Sequence, residues 1–250
     1  FAFDYAINGN EENGRRAISA ILNYVGSVSF EGYGDPYRIE GHVISILAQV
    51  YDWCYPLLSD TEKAALIANA EAVAKNLEIG YPPSGQSALT SHGCEQSLLC
   101  NLLMLGLATY DERPDIYNYV AGRLFDEYIP ARNYWSQAHF NHQGTGYGAY
   151  RGVWDYWCGW LFKRGTGEMV YTEDMGDVPY MWVYGIRPDG DNLHFGDDGG
   201  TANLEGKYQA GDSKTIFLAA NLFKDPILKR EAAREMPMYK GFNNLFGYLT

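Results

Sequence analysis

Apolar residues recur along this chain with the spacing of a helix. Residues 12–26 and 38–58 repeat apolar side chains at i, i+3, i+4 and i+7, as Ile18, Ile21 and Leu22 do. Such a stripe forms one face of a helix and is buried against a core. The pattern therefore predicts two amphipathic helices in the first quarter of the chain.

The rest of the chain has the same character. Ser59 resembles an N-cap with Glu62 as its capping-box partner, which predicts a helix over 60–78. The spacing predicts further helices over 91–108, 114–127, 143–163, 168–185 and 213–223. Alternating strand patterns are scarce, and 190–211 is predicted to be a long irregular loop or a small hairpin. The pattern favours an all-α fold of antiparallel helical hairpins.

Composition and charge narrow the class of protein. Of the 250 residues, 46% are apolar and 15% aromatic, which predicts a folded domain with a substantial core. The net charge of −12 argues against a non-specific nucleic-acid binder.

No apolar run reaches the roughly 18 residues of a membrane span. The four cysteines lack metal-like spacing, so we predict buried free thiols. With no initial Met and no signal peptide, residues 1–250 are interpreted as one domain excised from a longer protein.

Two neighbouring residues form the first candidate for chemistry. His92 and Glu95 are spaced i, i+3 at the start of a predicted helix, so both side chains can act on one point. A capping or surface pair, or a metal half-site with two ligands, explains the same spacing.

The second candidate is the polar, glycine-rich stretch 139–151, which runs into a strongly aromatic segment. Tyr147 and Arg151 are spaced i, i+4, so a guanidinium can lie beside the phenol and stabilise its phenolate form. A tyrosine in that position can exchange protons near neutral pH. In the alternative interpretation, His139 and His142 cap loops and Tyr147 packs in the core.

The third candidate follows a turn signature, Pro188-Asp189-Gly190. His194 with Asp197 and Asp198 raises the possibility of a metal site. However, no other ligand-spaced group accompanies them, and the pattern favours a solvated acidic loop. The many Tyr and Trp residues could line a face for sugars, whose C–H surfaces stack on aromatic rings. Otherwise, these rings belong to the core.

Six short motifs then follow one another along the chain: Tyr51-Asp52-Trp53-Cys54, Gly80-Tyr81-Pro82-Pro83, His92 with Glu95, Ala131-Arg132-Asn133, the stretch from His142-Gln143-Gly144 to Tyr147 and Arg151, and Arg187-Pro188-Asp189-Gly190. In order and spacing they resemble heparinase II and the heparinase II/III-like polysaccharide lyases, over nearly the whole chain.

This resemblance implies an incomplete (α/α) toroid built from helical hairpins. In the family a β-sandwich region with a structural zinc follows, which this segment lacks, so no cofactor is expected within 1–250. The implied activity is β-elimination of uronic-acid-containing glycosaminoglycans of the heparan sulfate type, in the periplasm or outside the cell. The expected partners are the acidic polysaccharide and the C-terminal β-domain, with a homodimer left open and neither nucleic acid nor membrane.

The resemblance also implies roles for individual residues. Tyr147 matches the catalytic tyrosine, His92 a catalytic histidine, and Glu95 the glutamate that helps to hold the uronate. The remaining matched or neighbouring residues are expected to bind substrate: Arg151, Arg38, His142, Gln143, Arg132 and His139. A further catalytic histidine of the family comes from the second domain and has no counterpart here, so the segment alone is expected to be incomplete.

Three alternatives to this function remain at this point. One is a lyase for another uronate polymer, such as alginate or a different glycosaminoglycan. Another is a non-catalytic carbohydrate-binding module. The last is a metal hydrolase that uses His92, Glu95, His139 and His142. Under the lyase hypothesis, the acidic groups lie mainly on the outer surface while Arg38, Arg132 and Arg151 gather near the cleft.

Overall fold

The computed structural model describes residues 1–28, 36–77, 96–196 and 213–235. The α-helices in these ranges are α1 Ala2–Asn8, α2 Glu11–Ser27, α3 Pro36–Trp53, α4 Asp60–Ala74, α5 Leu103–Ala108, α6 Pro114–Arg123, α7 Ile129–Trp135, α8 Gly146–Thr166, α9 Asp174–Asp177, α10 Tyr180–Tyr184, α11 Ser213–Phe223 and α12 Pro226–Glu235. No strand occurs in these ranges, which confirms the all-α class. The arrangement of the helices as a toroid stays a prediction.

The chain divides into two compact units, Phe1–Glu127 and Tyr128–Thr250. In the first unit, α3 is the central helix and packs against α2, α4 and α5. Ile44 and Leu47 of α3 are fully buried. The apolar stripe read from the sequence is therefore the stripe that faces the core of this unit.

Local signals explain where helices of the first unit begin and end. The predicted capping box is confirmed, because Ser59 Oγ accepts from the Glu62 amide at 3.3 Å and Glu62 Oε2 accepts from the Ser59 amide at 2.9 Å. The helix predicted over 38–58 ends at Trp53 instead, and a 3₁₀ turn, Tyr55–Leu57, follows. Pro56 accounts for this end, since it has no N–H and its ring clashes with the preceding helical turn.

Helix α8 of the second unit packs against α11. Two of its glycines allow this close approach. A Cβ on Gly159 would lie 2.9 Å from Leu222 Cδ2, and one on Gly152 would lie 3.3 Å from Thr215 Cγ2. α8 ends at Thr166, where Gly167 takes a left-handed conformation with φ of 83° and donates its N–H to Lys163 O.

The sequence pattern was wrong for 168–185, which is not one helix. Only the short helices α9 and α10 form there, and Pro179 precedes α10. The pattern also missed α1, α7 and α12. Between α6 and α7 the chain does not leave the helix but widens into a π-helical turn, Leu124–Tyr128, so a regular 3.6-residue period breaks at this point.

Two further sequence predictions can be compared with the described residues. Cys54, Cys100 and Cys158 are buried free thiols, as predicted, whereas Cys94 lies outside the described residues. Among the helices of the described ranges, none combines the length and apolar character needed to cross a bilayer.

Candidate functional site

The structure describes only some of the predicted site residues. His92 and Glu95 lie outside the described residues, as do Asp197 and Asp198. Arg38 belongs to α3 in the first unit, and its side chain lies outside the description. The geometry of the candidate site therefore comes from the second unit, where the stretch 139–151 forms a loop and the start of α8.

A tight turn precedes α8, whose first residue is Gly146 and not residue 143 as predicted. Asn141 makes this turn, because its Oδ1 accepts from the Gln143 amide at 2.9 Å and its carbonyl accepts from the Gly144 amide at 3.1 Å. Asn141 is 3% exposed, and its own amide donates to Met181 Sδ. The turn fixes the direction in which Gln143 leaves the backbone.

The residues after this turn are hydrogen-bonded to the segment around Phe195. Thr145 donates its amide to Phe195 O at 3.1 Å, and its hydroxyl donates to Leu193 O at 2.9 Å. Trp182 Nε1 donates to Gly144 O at 3.2 Å. Gly144 has φ of 81°, and a Cβ on it would overlap the Phe195 carbonyl oxygen. Only glycine fits at this crossing of two backbones.

Gln143, in the turn before α8, contacts Arg151, which lies with Tyr147 on the first turns of this helix. Arg151 Nη1 donates to Gln143 Oε1 at 2.6 Å, and its guanidinium carbon lies 4.1 Å from the centre of the Tyr147 ring. The i, i+4 spacing thus brings the cation over the face of the ring. Arg151 is only 8% exposed, so these two contacts hold a nearly buried charge in one place.

His142 lies beside the same group. Its ring meets Trp135 edge-on, with ring centres 5.0 Å apart. Partial desolvation of the ring, together with the positive charges of Arg132 and Arg151, lowers the pKa of His142 to about 4. His142 is therefore a neutral imidazole at pH 7, able to accept or donate a hydrogen bond, and it adds no positive charge.

Arg132 lies beneath the site in a buried ion pair with Asp155. The Arg132 Nε to Asp155 Oδ1 distance is 3.0 Å, and the two side chains are 1% and 2% exposed. The guanidinium also lies over the rings of Tyr128 and Trp135, at 4.2 and 5.1 Å. Burial raises the pKa of Asp155, and the arginine opposes this effect. Arg132 therefore has almost no exposed surface of its own, and it lies against Trp135 and close enough to His142 to act on its charge.

His139 belongs to a different cluster. It adopts a left-handed backbone with φ of 50°, and its Nε2 lies 3.4 Å from Asp174 Oδ1 and 3.5 Å from Asp177 Oδ2. These side chains are half exposed. Across the described ranges, no group of three or more His, Cys, Asp or Glu side chains is arranged to hold a metal ion.

The predicted Pro188-Asp189-Gly190 turn is present. Gly190, with φ of 86°, donates its amide to Arg187 O at 2.9 Å, and Ile186 and Asn192 form an isolated antiparallel bridge around the turn. Arg187 pairs with Asp189 within the turn. The turn leads directly to Leu193 and Phe195, whose carbonyl groups accept hydrogen bonds from Thr145 in the loop before α8.

Several residues that build the site could not be read from the sequence. Asp155 is 23 positions from Arg132, and no local spacing links the two. Phe195, which stacks on Phe140, is even further from its partner. The role of Asn141 could be predicted from the sequence, since Asn is favoured at the first position of a β-turn and Gly three residues later, as Gly144 is here.

No protein-family model matches the chain, and no curated protein is significantly similar to it.

Proposed function

We propose that this chain is the helical catalytic part of a lyase that cleaves uronic-acid-containing glycosaminoglycans of the heparan sulfate type by β-elimination. The observation that carries the proposal is the position of Tyr147. Its phenol ring is on the first turn of a long helix, against a nearly buried guanidinium that Gln143 holds in place. The resemblance of the motifs supplies the class of reaction.

The chemistry needs both a base and a compensating charge. A base removes the C5 proton of the uronate, its electron pair forms the C4=C5 double bond, and the C4–O bond breaks. Because the carboxylate becomes an enolate-like dianion on the way, positive charge or hydrogen-bond donors must stabilise it. In this proposal Tyr147 takes the C5 proton or protonates the leaving oxygen, depending on which face of the sugar carries the proton.

The remaining residues support that step. Arg151 neutralises charge on the uronate, and neutral His142 and Gln143 supply hydrogen bonds. His92 is assigned as a further catalytic histidine, Glu95 as the group that shares a proton with the uronate, and Arg38 as a second substrate arginine, all from the resemblance. Arg132, which is buried, is assigned as a residue that positions its neighbours. His139 is assigned as a substrate-binding residue. The proposal includes the toroidal arrangement, a β-domain with a structural zinc, and a location in the periplasm or outside the cell.

The test uses the full-length protein and a set of purified polysaccharides: heparan sulfate, heparin, other glycosaminoglycans and alginate. Cleavage creates a 4,5-unsaturated sugar, which is followed by its ultraviolet absorbance. We expect product from heparan sulfate, and we expect Tyr147→Phe to abolish it. Tyr150→Phe, which removes a hydroxyl from an exposed neighbour on the same helix, is the matched control and should leave the rate within about twofold.

Other outcomes select other functions. Product from alginate alone would change the substrate, and retained activity in Tyr147→Phe would remove this residue from the mechanism. Binding of polysaccharide with no unsaturated product from any of them would favour a carbohydrate-binding module. Cleavage that yields no absorbance and stops with a chelator would favour a metal hydrolase.

A further inference from the structure

Two phenylalanines form an aromatic pair at the edge of the candidate site. The rings of Phe140 and Phe195 are stacked, with centres 5.2 Å apart and planes at 29°. Phe140 keeps 42% of its surface exposed although Phe195 lies against it. Burial of an aromatic side chain is favourable, so this pair presents to solvent a ring that the described part of the chain leaves partly uncovered.

The pair is held rigidly to the loop that carries Gln143. Phe195 bonds through both backbone groups to Thr145, since its carbonyl accepts from the Thr145 amide at 3.1 Å and its amide donates to the Thr145 hydroxyl at 3.2 Å. Phe140 is followed directly by the buried turn residue Asn141, which binds the Gln143 amide. The exposed ring therefore lies directly before the turn that carries Gln143, against a residue bonded to the same loop.

Through Gln143 the pair is also continuous with the charged part of the site. Gln143 contacts the guanidinium of Arg151, which in turn covers Tyr147. Within a few residues an exposed, uncharged aromatic ring is followed by a half-buried amide and then by a nearly buried cation. A pyranose of an acidic polysaccharide has the same division, because its C–H face is apolar and its carboxylate or sulfate groups lie at the edge of the ring.

We infer that Phe140, supported from behind by Phe195, is a stacking subsite for a pyranose ring of the uronate polysaccharide, next to the sugar that Arg151 binds. This inference rests on the proposed function for the identity of the ligand. Because Phe140 already stacks on Phe195, we expect little conformational entropy to be lost when the sugar stacks on the ring. The subsite contributes binding and not chemistry.

The experiment measures binding in a background that does not consume the ligand. Tyr147→Phe full-length protein is titrated with a purified heparan sulfate tetrasaccharide by calorimetry. We expect Phe140→Ala and Phe140→Leu to weaken binding by about tenfold, and Phe140→Tyr to stay within about twofold. Phe140→Leu keeps apolar contact with Phe195, so it separates loss of the ring from loss of folding. Phe125→Ala is the matched control, since Phe125 is a phenylalanine of similar exposure in the first unit.

The outcomes separate the two proposals. Phe140→Leu that binds as tightly as Phe125→Ala would overturn the subsite, whatever the protein catalyses. Weakened binding in Phe140→Leu, with no unsaturated product from the enzyme with Tyr147 intact, would uphold the subsite and overturn the lyase. Absence of binding to the tetrasaccharide in the Tyr147→Phe background, while product is formed by the intact enzyme, would overturn the subsite alone. Absence of both binding and product would overturn both proposals.

Discussion

The side-chain oxygen of Gln143 accepts a 2.6 Å hydrogen bond from Arg151 Nη1. A neutral amide holds the guanidinium without cancelling its charge, so the arginine keeps its attraction for an acidic ligand. A carboxylate of the same shape would hold Arg151 as firmly and neutralise it.

We therefore expect Gln143→Glu to raise the KM for an acidic polysaccharide about tenfold and to weaken the dependence of KM on salt. Steady-state rates at two salt concentrations measure both effects. Gln137→Glu adds the same charge at an exposed glutamine that bonds Asn133 O instead. If both variants raise the KM equally, net charge is the cause and the contact with Arg151 is not.

The buried pair of Arg132 and Asp155 predicts a loss of stability. Either Arg132→Met or Asp155→Asn leaves the other partner without its counter-ion in the core, which costs about 3–5 kcal/mol of unfolding free energy. Combining the same two substitutions, Arg132→Met with Asp155→Asn, is expected to cost less than the sum of the two single changes. Urea unfolding of the four proteins gives the coupling energy. Additive losses would show that the pair is not energetically linked.

His142 predicts how stability depends on pH. Its pKa is lowered to about 4 in the folded protein, from an ordinary value of 6.5 in the unfolded chain. Between these values the unfolded chain binds more protons, so stability falls as the pH drops from 6.5 towards 4 and is fully present above 6.5.

His142→Asn should flatten this part of the profile, as measured by urea unfolding at pH 7, 5.5 and 4.5. Nuclear magnetic resonance titration of the ring reports its pKa directly. A titration midpoint near 6.5 in the folded protein would contradict the position of His142 beside Arg132 and Arg151.

The backbone crossing at Gly144 predicts a sharp steric effect. Gly144→Ala would place a Cβ onto the Phe195 carbonyl oxygen, and it would put an alanine at a φ of 81° that favours glycine. We expect the unfolding free energy to fall by roughly 2 kcal/mol or more. Gly165→Ala is the control in α8, because a Cβ there meets nothing within 4 Å. It should be neutral or stabilise by up to about 1 kcal/mol. Thermal unfolding compares the two, and equal effects would argue against the crossing.

Local sequence rules predicted part of this fold correctly. The capping box at Ser59 and the helix over 213–223 need only neighbouring residues, and both match the structure. The prediction failed where one residue redirects the chain, as Pro56 does after α3, and where apolar spacing continued through the loop before α9. It also could not detect the extra residue of the π turn Leu124–Tyr128.

The same distinction holds for the candidate site, where contacts set by local geometry were predicted and contacts made by tertiary packing were not. The spacing of Tyr147 and Arg151 predicts their contact, because a helix fixes that geometry. By contrast, Asp155 meets Arg132 only through tertiary packing, and so does Phe195 with Phe140. His139 lies close in sequence to His142, yet its left-handed backbone turns it towards Asp174. Closeness in sequence did not predict membership of the site.

The hydrogen bonds between Thr145 and Phe195 also predict the sequence of events in folding. The two residues are 50 positions apart, so their hydrogen bonds close a long loop, whereas the bonds within α8 span four residues. Loop closure of that length has an entropic cost that local helix formation does not have. We expect α8 to form first and the loop around Gln143 to dock onto it late. The amides of Thr145 and Phe195 should then exchange with solvent through local opening, faster than those in the middle of α8.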